Sequence, residues 1–128
     1  MRYSKRFQYR QGDSYLRSVA LKASGGLPYD ITGATVWYIV KKNQDDADAA
    51  AKLWLYWEDG GDAEGIAVTD PTTGAAQVSR TAAQMITADF DVGIHFWYLK
   101  IRTVAGSVYT ADSGILEVLP GPTAITPP

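Results

Sequence analysis

The amino-acid sequence predicts an all-β sandwich in a single domain. Short runs rich in aromatic and β-branched residues recur along the chain, separated by turn signals that contain glycine or aspartate. This is the pattern of a sandwich or barrel. The 128 residues, 46% of them apolar, suffice for one hydrophobic core but hardly for two. We therefore expect one domain over residues 1–119, with residues 1–12 as an N-terminal arm and first strand, about seven or eight strands in all, and at most one or two helical turns.

The expected strands follow one another closely. They lie near residues 5–10, 15–22, 34–42, 52–58, 65–69, 75–79, 93–104 and 107–119. The last two should pair antiparallel, because the Ala105-Gly106 connection offers a glycine for the positive φ of a hairpin turn. Residues 43–51 and 80–88 are expected to form loops or single helical turns, and the proline-rich residues 120–128 to form an extended tail.

Three of these strands carry bulky apolar side chains on both faces. They span residues 35–41, 53–57 and 94–101. A sandwich strand needs apolar side chains at alternate positions only, since successive side chains point to opposite faces. The side chains expected to face the core are Val36, Tyr38, Val40, Leu53, Leu55, Trp57, His95, Trp97, Leu99 and Ile101. Those expected to face outward, and to form a candidate interface, are Trp37, Ile39, Trp54, Tyr56, Phe96 and Tyr98.

The composition argues against several classes of partner. A formal charge of -2 and an isoelectric point near 5.2 leave no basic stripe for a nucleic acid or an anionic membrane. The N-terminal residues are polar, and no apolar run approaches the roughly 20 residues that cross a bilayer. We therefore expect synthesis in the cytoplasm of the cell that expresses the chain, without a signal peptide, and neither nucleic acid nor membrane as a partner.

Nothing in the sequence predicts catalysis, a cofactor or a bound metal. The chain contains one histidine and no cysteine, which excludes thiolate zinc sites and cysteine nucleophiles. Two acidic clusters, at residues 45–48 and 59–64, lack the spacing of a calcium-binding loop. We expect a protein that is not an enzyme and needs no cofactor, with these carboxylates as solvated loop charge.

A motif at the start of the penultimate strand resembles one found in immunoglobulin domains. The segment Asp91-Val92-Gly93-Ile94-His95-Phe96-Trp97 has the D-x-G-x-Y-x-C spacing that begins strand F of those domains. His95 stands at the tyrosine-corner position and Trp97 at the cysteine position. Asp91, Gly93 and His95 are thus expected to form a structural corner, with His95 as a hydrogen-bonded corner residue rather than a ligand or base. The sandwich is accordingly expected to be immunoglobulin-like.

A wider resemblance extends over most of the chain. It rests on Gln11-Gly12-Asp13, Val19-Ala20-Leu21-Lys22, Gly26-Leu27-Pro28, Tyr29-Asp30-Ile31-Thr32-Gly33-Ala34-Thr35-Val36, the strand at 93–101, and Tyr109-Thr110 followed by Ser113-Gly114. In these features the chain resembles small immunoglobulin-like domains of tailed-phage structural proteins, such as the N-terminal domain of siphophage upper baseplate proteins and tail accessory proteins. The resemblance implies a virion component of the tail, baseplate or head-tail region that works through protein–protein contacts, without enzymatic activity.

The outward aromatic side chains need cover, and the sequence leaves two sources of it open. Each aromatic side chain offers about 150–250 Å² of surface to bury. Their combined area therefore exceeds that of the apolar patch usual on a soluble monomer. The chain could supply the cover itself, through the arm residues Tyr3, Phe7 and Tyr9 or through the 43–51 loop. A partner could also supply it, either a second copy of the chain or another virion protein.

A carbohydrate-binding module is the alternative from a different functional class. In such modules exposed tryptophan and tyrosine rings stack on sugar rings, and nearby polar side chains bind the hydroxyl groups. The outward faces offer chiefly Lys100, Arg102 and Glu58 for this purpose. Assembly through protein contacts is therefore the first expectation, and carbohydrate recognition the second.

Overall fold

The described part of the chain forms two β-sheets. The computed structural model describes residues 5–21, 30–88 and 90–121, the side chains of residues 49, 87 and 88 excepted. Within them the strands are β1 (Arg6–Arg10), β2 (Tyr15–Ala20), β3 (Thr35–Lys41), β4 (Leu53–Glu58), β5 (Ala63–Glu64), β6 (Ile66–Ala67), β7 (Ala75–Arg80), β8 (Gly93–Arg102) and β9 (Val108–Leu119). Helix α1 spans Ala82–Ala88, and short 3₁₀ helices lie at Asp48–Ala50 and Pro71–Thr73.

The strand order is that of an immunoglobulin-like sandwich of the variable type. One sheet has the order β1-β9-β8-β3-β4-β5, and the other has the order β2-β7-β6. β1 pairs parallel with β9, while the other neighbouring strands pair antiparallel. In variable-type domains two extra strands extend the sheet that contains the last two strands, as β4 and β5 do here. The predicted all-β, immunoglobulin-like sandwich is confirmed.

The strand expected at residues 65–69 is instead two short strands in different sheets. β5 pairs with β4 in the larger sheet, and β6 pairs with β7 in the smaller one. Gly65 lies between them with a φ of 74°, a conformation that glycine adopts at little cost. A Cβ at this position would lie 2.6 Å from Cδ2 of Leu55. The glycine therefore lets the chain cross between the sheets while it lies against the core.

The predicted facing of the three aromatic strands is confirmed by burial and pairing. The side chains of Val36, Tyr38, Val40, Leu53, Leu55, Trp57, His95, Trp97, Leu99 and Ile101 are all buried in the interior. The predicted hairpin is also present, since β8 and β9 pair antiparallel across a turn in which Gly106 has a φ of 95°. Alternation along a strand was thus sufficient to assign its two faces.

The turn before β3 is held by side-chain hydrogen bonds of the kind that aspartate forms with the backbone in turns. Oδ1 of Asp30 accepts hydrogen bonds from the backbone N–H of Thr32 at 2.9 Å and from its hydroxyl at 2.6 Å. The N–H of Gly33 donates to Oδ2 of Asp59 at 2.6 Å, which ties the turn to the end of β4. Residues 22–29, which carry part of the resemblance quoted above, lie outside the described residues.

A buried arginine joins the two sheets. Arg17 of β2 is 9% exposed, and its guanidinium carbon lies 3.3 Å from the centre of the Phe7 ring and 3.8 Å from that of Trp97. Nη1 donates to the hydroxyl of Tyr38 at 2.9 Å, and this hydroxyl shares a 2.5 Å hydrogen bond with Tyr15. Attraction to the ring faces offsets part of the cost of burying the cation. In immunoglobulin domains a disulfide joins the corresponding strands; here the contact between Arg17 and Trp97 does so.

The N-terminal arm closes the core instead of crossing the outer face. β1 pairs with β9, so that Tyr9 is buried in the interior and the Phe7 ring meets Trp97 edge-on at 5.9 Å. The expectation that Phe7 and Tyr9 cover the outward aromatics is therefore wrong. The physical reason is that the parallel pairing directs both side chains inward. Tyr3, the third arm residue, lies outside the described residues.

Helix α1 has seven residues, and among the described residues no helix is both long and apolar enough to cross a bilayer.

The role of Arg17 can be tested by comparing two substitutions. Arg17→Ala should lower the free energy of unfolding by about 2–4 kcal/mol, because it leaves a cavity between two rings and removes their cation contact. Arg17→Met should cost less than about 1.5 kcal/mol, since its flexible chain fills the same space without a buried charge. Urea unfolding monitored by tryptophan fluorescence measures both. A near-neutral Arg17→Ala would show that this side chain does not join the sheets.

Candidate functional site: the outer face of the larger sheet

The outward side chains of β4, β3 and β8 form rows across the strands. The pairing produces the rows Tyr56-Trp37-Lys100 and Trp54-Ile39-Tyr98, and Lys41 beside Phe96 begins a third row. All six residues of the predicted candidate interface therefore lie on one face of the sheet. This agreement concerns their direction only, because their exposure differs from row to row.

The connection between β3 and β4 covers the centre of this face. The carboxylate of Asp48 lies 2.6 Å from Nζ of Lys41 and 3.0 Å from Nζ of Lys100. These lysines flank the Ile39–Tyr98 row on either side, so the carboxylate lies above that row. Ile39 is 1% exposed and Tyr98 8% exposed. Cover by the 43–51 loop is thus the correct alternative for these two residues, and their assignment to an exposed interface is wrong.

A second carboxylate holds both ends of the same connection. Nζ of Lys42 donates to Asp91 at 2.5 Å, and Nζ of Lys52 lies 3.9 Å from the other carboxylate oxygen. The hydrogen bond from Lys42 is the main reason that the pKa of Asp91 falls to about 2. The hydrogen bond from Lys41 likewise lowers the pKa of Asp48. Residues 42–52 are therefore fastened at the middle by Asp48 and at the ends by Asp91.

What remains open on the outer face is an aromatic patch of three residues, Trp37, Trp54 and Tyr56. Trp54 is 42% exposed, and the other two are half-buried. The guanidinium carbon of Arg102 lies 5.6 Å from the centre of the Trp37 ring, and Glu58 is exposed at the end of β4. The patch thus has an apolar centre and a charged margin. Such a composition is typical of protein interfaces.

Phe96 lies apart from the aromatic patch. It is half-buried on β8, next to Lys41, and strand β3 separates it from Trp54 and Tyr56. Its ring also has a contact within the chain. The six predicted interface residues are therefore divided into two covered residues, one peripheral residue and the patch of three.

Asp91, Gly93 and His95 lie together at the start of β8, where the His95 ring packs against that of Phe90 at 5.3 Å. The side chain of His95 is 0% exposed, and its Nε2 lies 3.4 Å from a carboxylate oxygen of Asp91. Within the described residues, neither ring nitrogen has a hydrogen-bond partner. Burial is the main cause that lowers the pKa of His95, and the charge of Lys42 lowers it further. Gly93, with a φ of 128°, begins β8 between Asp91 and His95. Because its pKa is lowered, the imidazole of His95 is neutral at pH 7.

Two residues that shape this face and its core are not among the sequence-predicted site residues. Arg17 shares its face of β2 with Tyr15 and Val19, which are buried, and this alternation was a readable signal for a buried cation. Asp48 appears in the sequence as one acid in a cluster, and no local pattern identifies Lys100 as its partner. No group of three His, Asp or Glu side chains suited to a metal ion lies in the described ranges.

Comparison with known proteins adds one structural likeness. No protein-family model matches the chain, and no curated protein matches it. Among solved structures, one of murine CRIg is similar over 93% of this chain and 94% of that chain, with 11% sequence identity and a TM-score of 0.43. The immunoglobulin-like class rests on the strand order and pairing described above.

The cover provided by Asp48 predicts a measurable effect of its removal. Asp48→Asn should lower the free energy of unfolding by about 1–3 kcal/mol, because Lys41 is left buried without its carboxylate while the partly exposed Lys100 loses less. Asp45→Asn, in the same connection, is the matched control and should be neutral. Chemical denaturation measures both variants. Equal stability of the two would show that the ion pairs of Asp48 do not hold the connection in place.

The buried His95 predicts a pH dependence with a defined sign. Its pKa in the folded protein lies below the ordinary histidine value of 6.5, so protonation favours the unfolded chain. The contribution to stability is complete above pH 6.5 and is lost as the pH falls below that value. His95→Gln should remove this loss between pH 7 and pH 5, as measured by urea midpoints. Identical pH profiles for both proteins would show that His95 is not held neutral.

Proposed function

We propose that this protein is a non-enzymatic assembly module that binds other proteins, or further copies of itself, through the aromatic patch. The observation that carries the proposal is the exposure of Trp54. Trp54 is 42% exposed, although the neighbouring Ile39 in the same row is sealed by the chain. The protein's own connection thus covers the centre of the face and leaves the patch on β4 open.

The chemistry of the patch supports protein binding. Tryptophan and tyrosine are enriched at interfaces, because a large rigid ring is buried at little conformational cost. Trp37 and Tyr56 are direct cross-strand neighbours, and Trp54 follows on the same face of β4. Arg102 and Glu58 at the margin can form the polar rim that surrounds an apolar centre. A partner of matching shape would exclude water from all three rings.

A second copy of the chain is the simplest partner. A two-fold axis through the patch would bring the same three rings of each copy together, and a ring or trimer would repeat the contact around its axis. The patch lies on strands rather than on loops, which holds the rings in a fixed geometry. This rigidity suits permanent assembly better than a contact that must adapt to many partners.

The setting that we propose is the virion of a tailed phage, in the tail, baseplate or head-tail region. The support is the resemblance carried by segments such as Gln11-Gly12-Asp13 and the turn around Asp30 and Gly33. Protein–protein contact is the mode of action in that setting, and catalysis has no part in it. The neighbouring proteins would then be virion components assembled in the host cytoplasm.

The proposal predicts that polar substitutions in the patch weaken assembly. Trp54→Ser together with Tyr56→Ser should lower the oligomeric mass measured by light scattering, because burial of the two rings no longer stabilises the contact. The far-UV circular dichroism should be unchanged, since neither side chain belongs to the core. Leu16→Ser, which changes an exposed apolar residue on the smaller sheet, is the matched control and should leave the mass unaltered.

Two outcomes would overturn this assignment. A double variant that unfolds would show that the rings support the fold itself. A wild-type chain that remains monomeric, alone and with its genomic neighbours, would leave the patch without a protein partner.

A further inference from the structure

A groove beside Trp54 is built from residues that are far apart in the sequence. It has a volume of about 490 Å³ and is lined by Lys52, Leu53, Trp54, Glu64, Arg80, Ala83 and Gln84. They come from β4 and the residue before it, from β5, from the end of β7 and from helix α1, so the groove joins the margins of the two sheets. The volume falls within the usual range of small-molecule sites, about 300–1,000 Å³.

The polar side of the groove is an ion pair. Nη2 of Arg80 lies 2.9 Å from Oε1 of Glu64, and the Arg80 side chain is largely buried while that of Glu64 is exposed. Helix α1 begins beside them with a capping box, in which Gln84 N–H donates to Oγ of Thr81 and Thr81 N–H donates to Oε1 of Gln84. The cap fixes the first turn of the helix, and with it one wall of the groove.

The exposed indole of Trp54 and the Glu64–Arg80 ion pair together suit a neutral ligand that carries several hydroxyl groups. The exposed indole of Trp54 offers an apolar surface on which the C–H face of a sugar ring can stack. A hydroxyl group both donates and accepts, so adjacent hydroxyls can donate to Glu64 and accept from Arg80. The charge of Arg80 is compensated by Glu64, and that of the other lining cation, Lys52, by Asp91 at 3.9 Å, which disfavours phosphate or carboxylate ligands. The sequence alone offered only Lys100, Arg102 and Glu58 for sugar binding, and these lie elsewhere on the outer face.

We infer that this groove binds a pyranose sugar, with Trp54 as the stacking platform and the Glu64–Arg80 pair as the site for neighbouring hydroxyl groups. This function goes beyond assembly and does not depend on it. The two surfaces share Trp54 only. Glu64 and Arg80 have no part in the aromatic patch, and Trp37 and Tyr56 do not line the groove. Substitutions can therefore separate the two functions.

The experiment is a titration of the full chain with D-glucose, D-galactose, N-acetyl-D-glucosamine and L-rhamnose, followed by NMR chemical shifts. We expect saturable binding of at least one sugar, with the largest shifts at the indole N–H of Trp54. Trp54→Ala and Arg80→Met should each weaken that binding by about tenfold or more. Tyr109→Ala is the matched control: it removes an exposed aromatic residue on β9, three strands away from β4, and should leave binding unchanged.

The outcomes separate this inference from the assembly proposal. Lack of saturable binding for all four sugars would overturn it, and so would binding that survives either Trp54→Ala or Arg80→Met. Circular dichroism and thermal unfolding check that both variants are folded, and light scattering reports their mass. Arg80→Met should lose sugar binding but keep the wild-type mass. The oligomeric mass of the variant that carries both Trp54→Ser and Tyr56→Ser tests the assembly proposal alone.

Discussion

The position of Arg17 between the two sheets is the interaction on which the rest of the structure depends. Its guanidinium lies against Phe7 and Trp97 and donates to Tyr38, so it contacts β1, β8 and β3 from the smaller sheet. Burial raises the pKa of Tyr38 and Tyr15, which keeps both hydroxyls neutral beside the cation. The chain has no cysteine. Cation–ring and hydrogen-bond contacts therefore take the place that a disulfide holds in immunoglobulin domains.

Once the core is closed in this way, the larger sheet has more apolar side chains than its inner face can hold. The connection at residues 42–52 resolves part of the surplus, because Asp48 links Lys41 to Lys100 above Ile39 and Tyr98. Buried ion pairs contribute little net stability by themselves. Here their effect is on position, because they hold residues 42–52 over Ile39 and Tyr98. This cover ends before it reaches Trp54. The open patch is thus a result of where the cover stops.

The margin of the sheet at Trp54 has two different surroundings. On the outer face its neighbours are Trp37 and Tyr56, with which it forms the aromatic patch of the proposed assembly contact. Beyond the sheet margin its neighbours are Glu64 and Arg80, which line the proposed sugar site. Trp54 is the residue that the two surfaces share, and every other residue of either surface belongs to one of them alone.

The sequence by itself determined the properties that depend on near neighbours in the chain. Alternation assigned the inner and outer faces of β3, β4 and β8, and Gly106 marked a hairpin turn that the structure contains. It did not determine the cover of the outer face, since Asp48 and Lys100 are 52 residues apart. It also left the position of the arm open, because an edge strand gives no local sign of which neighbour it will join. Only the tertiary structure decided these points: ion pairs and sheet neighbours bring together residues that no periodic pattern relates.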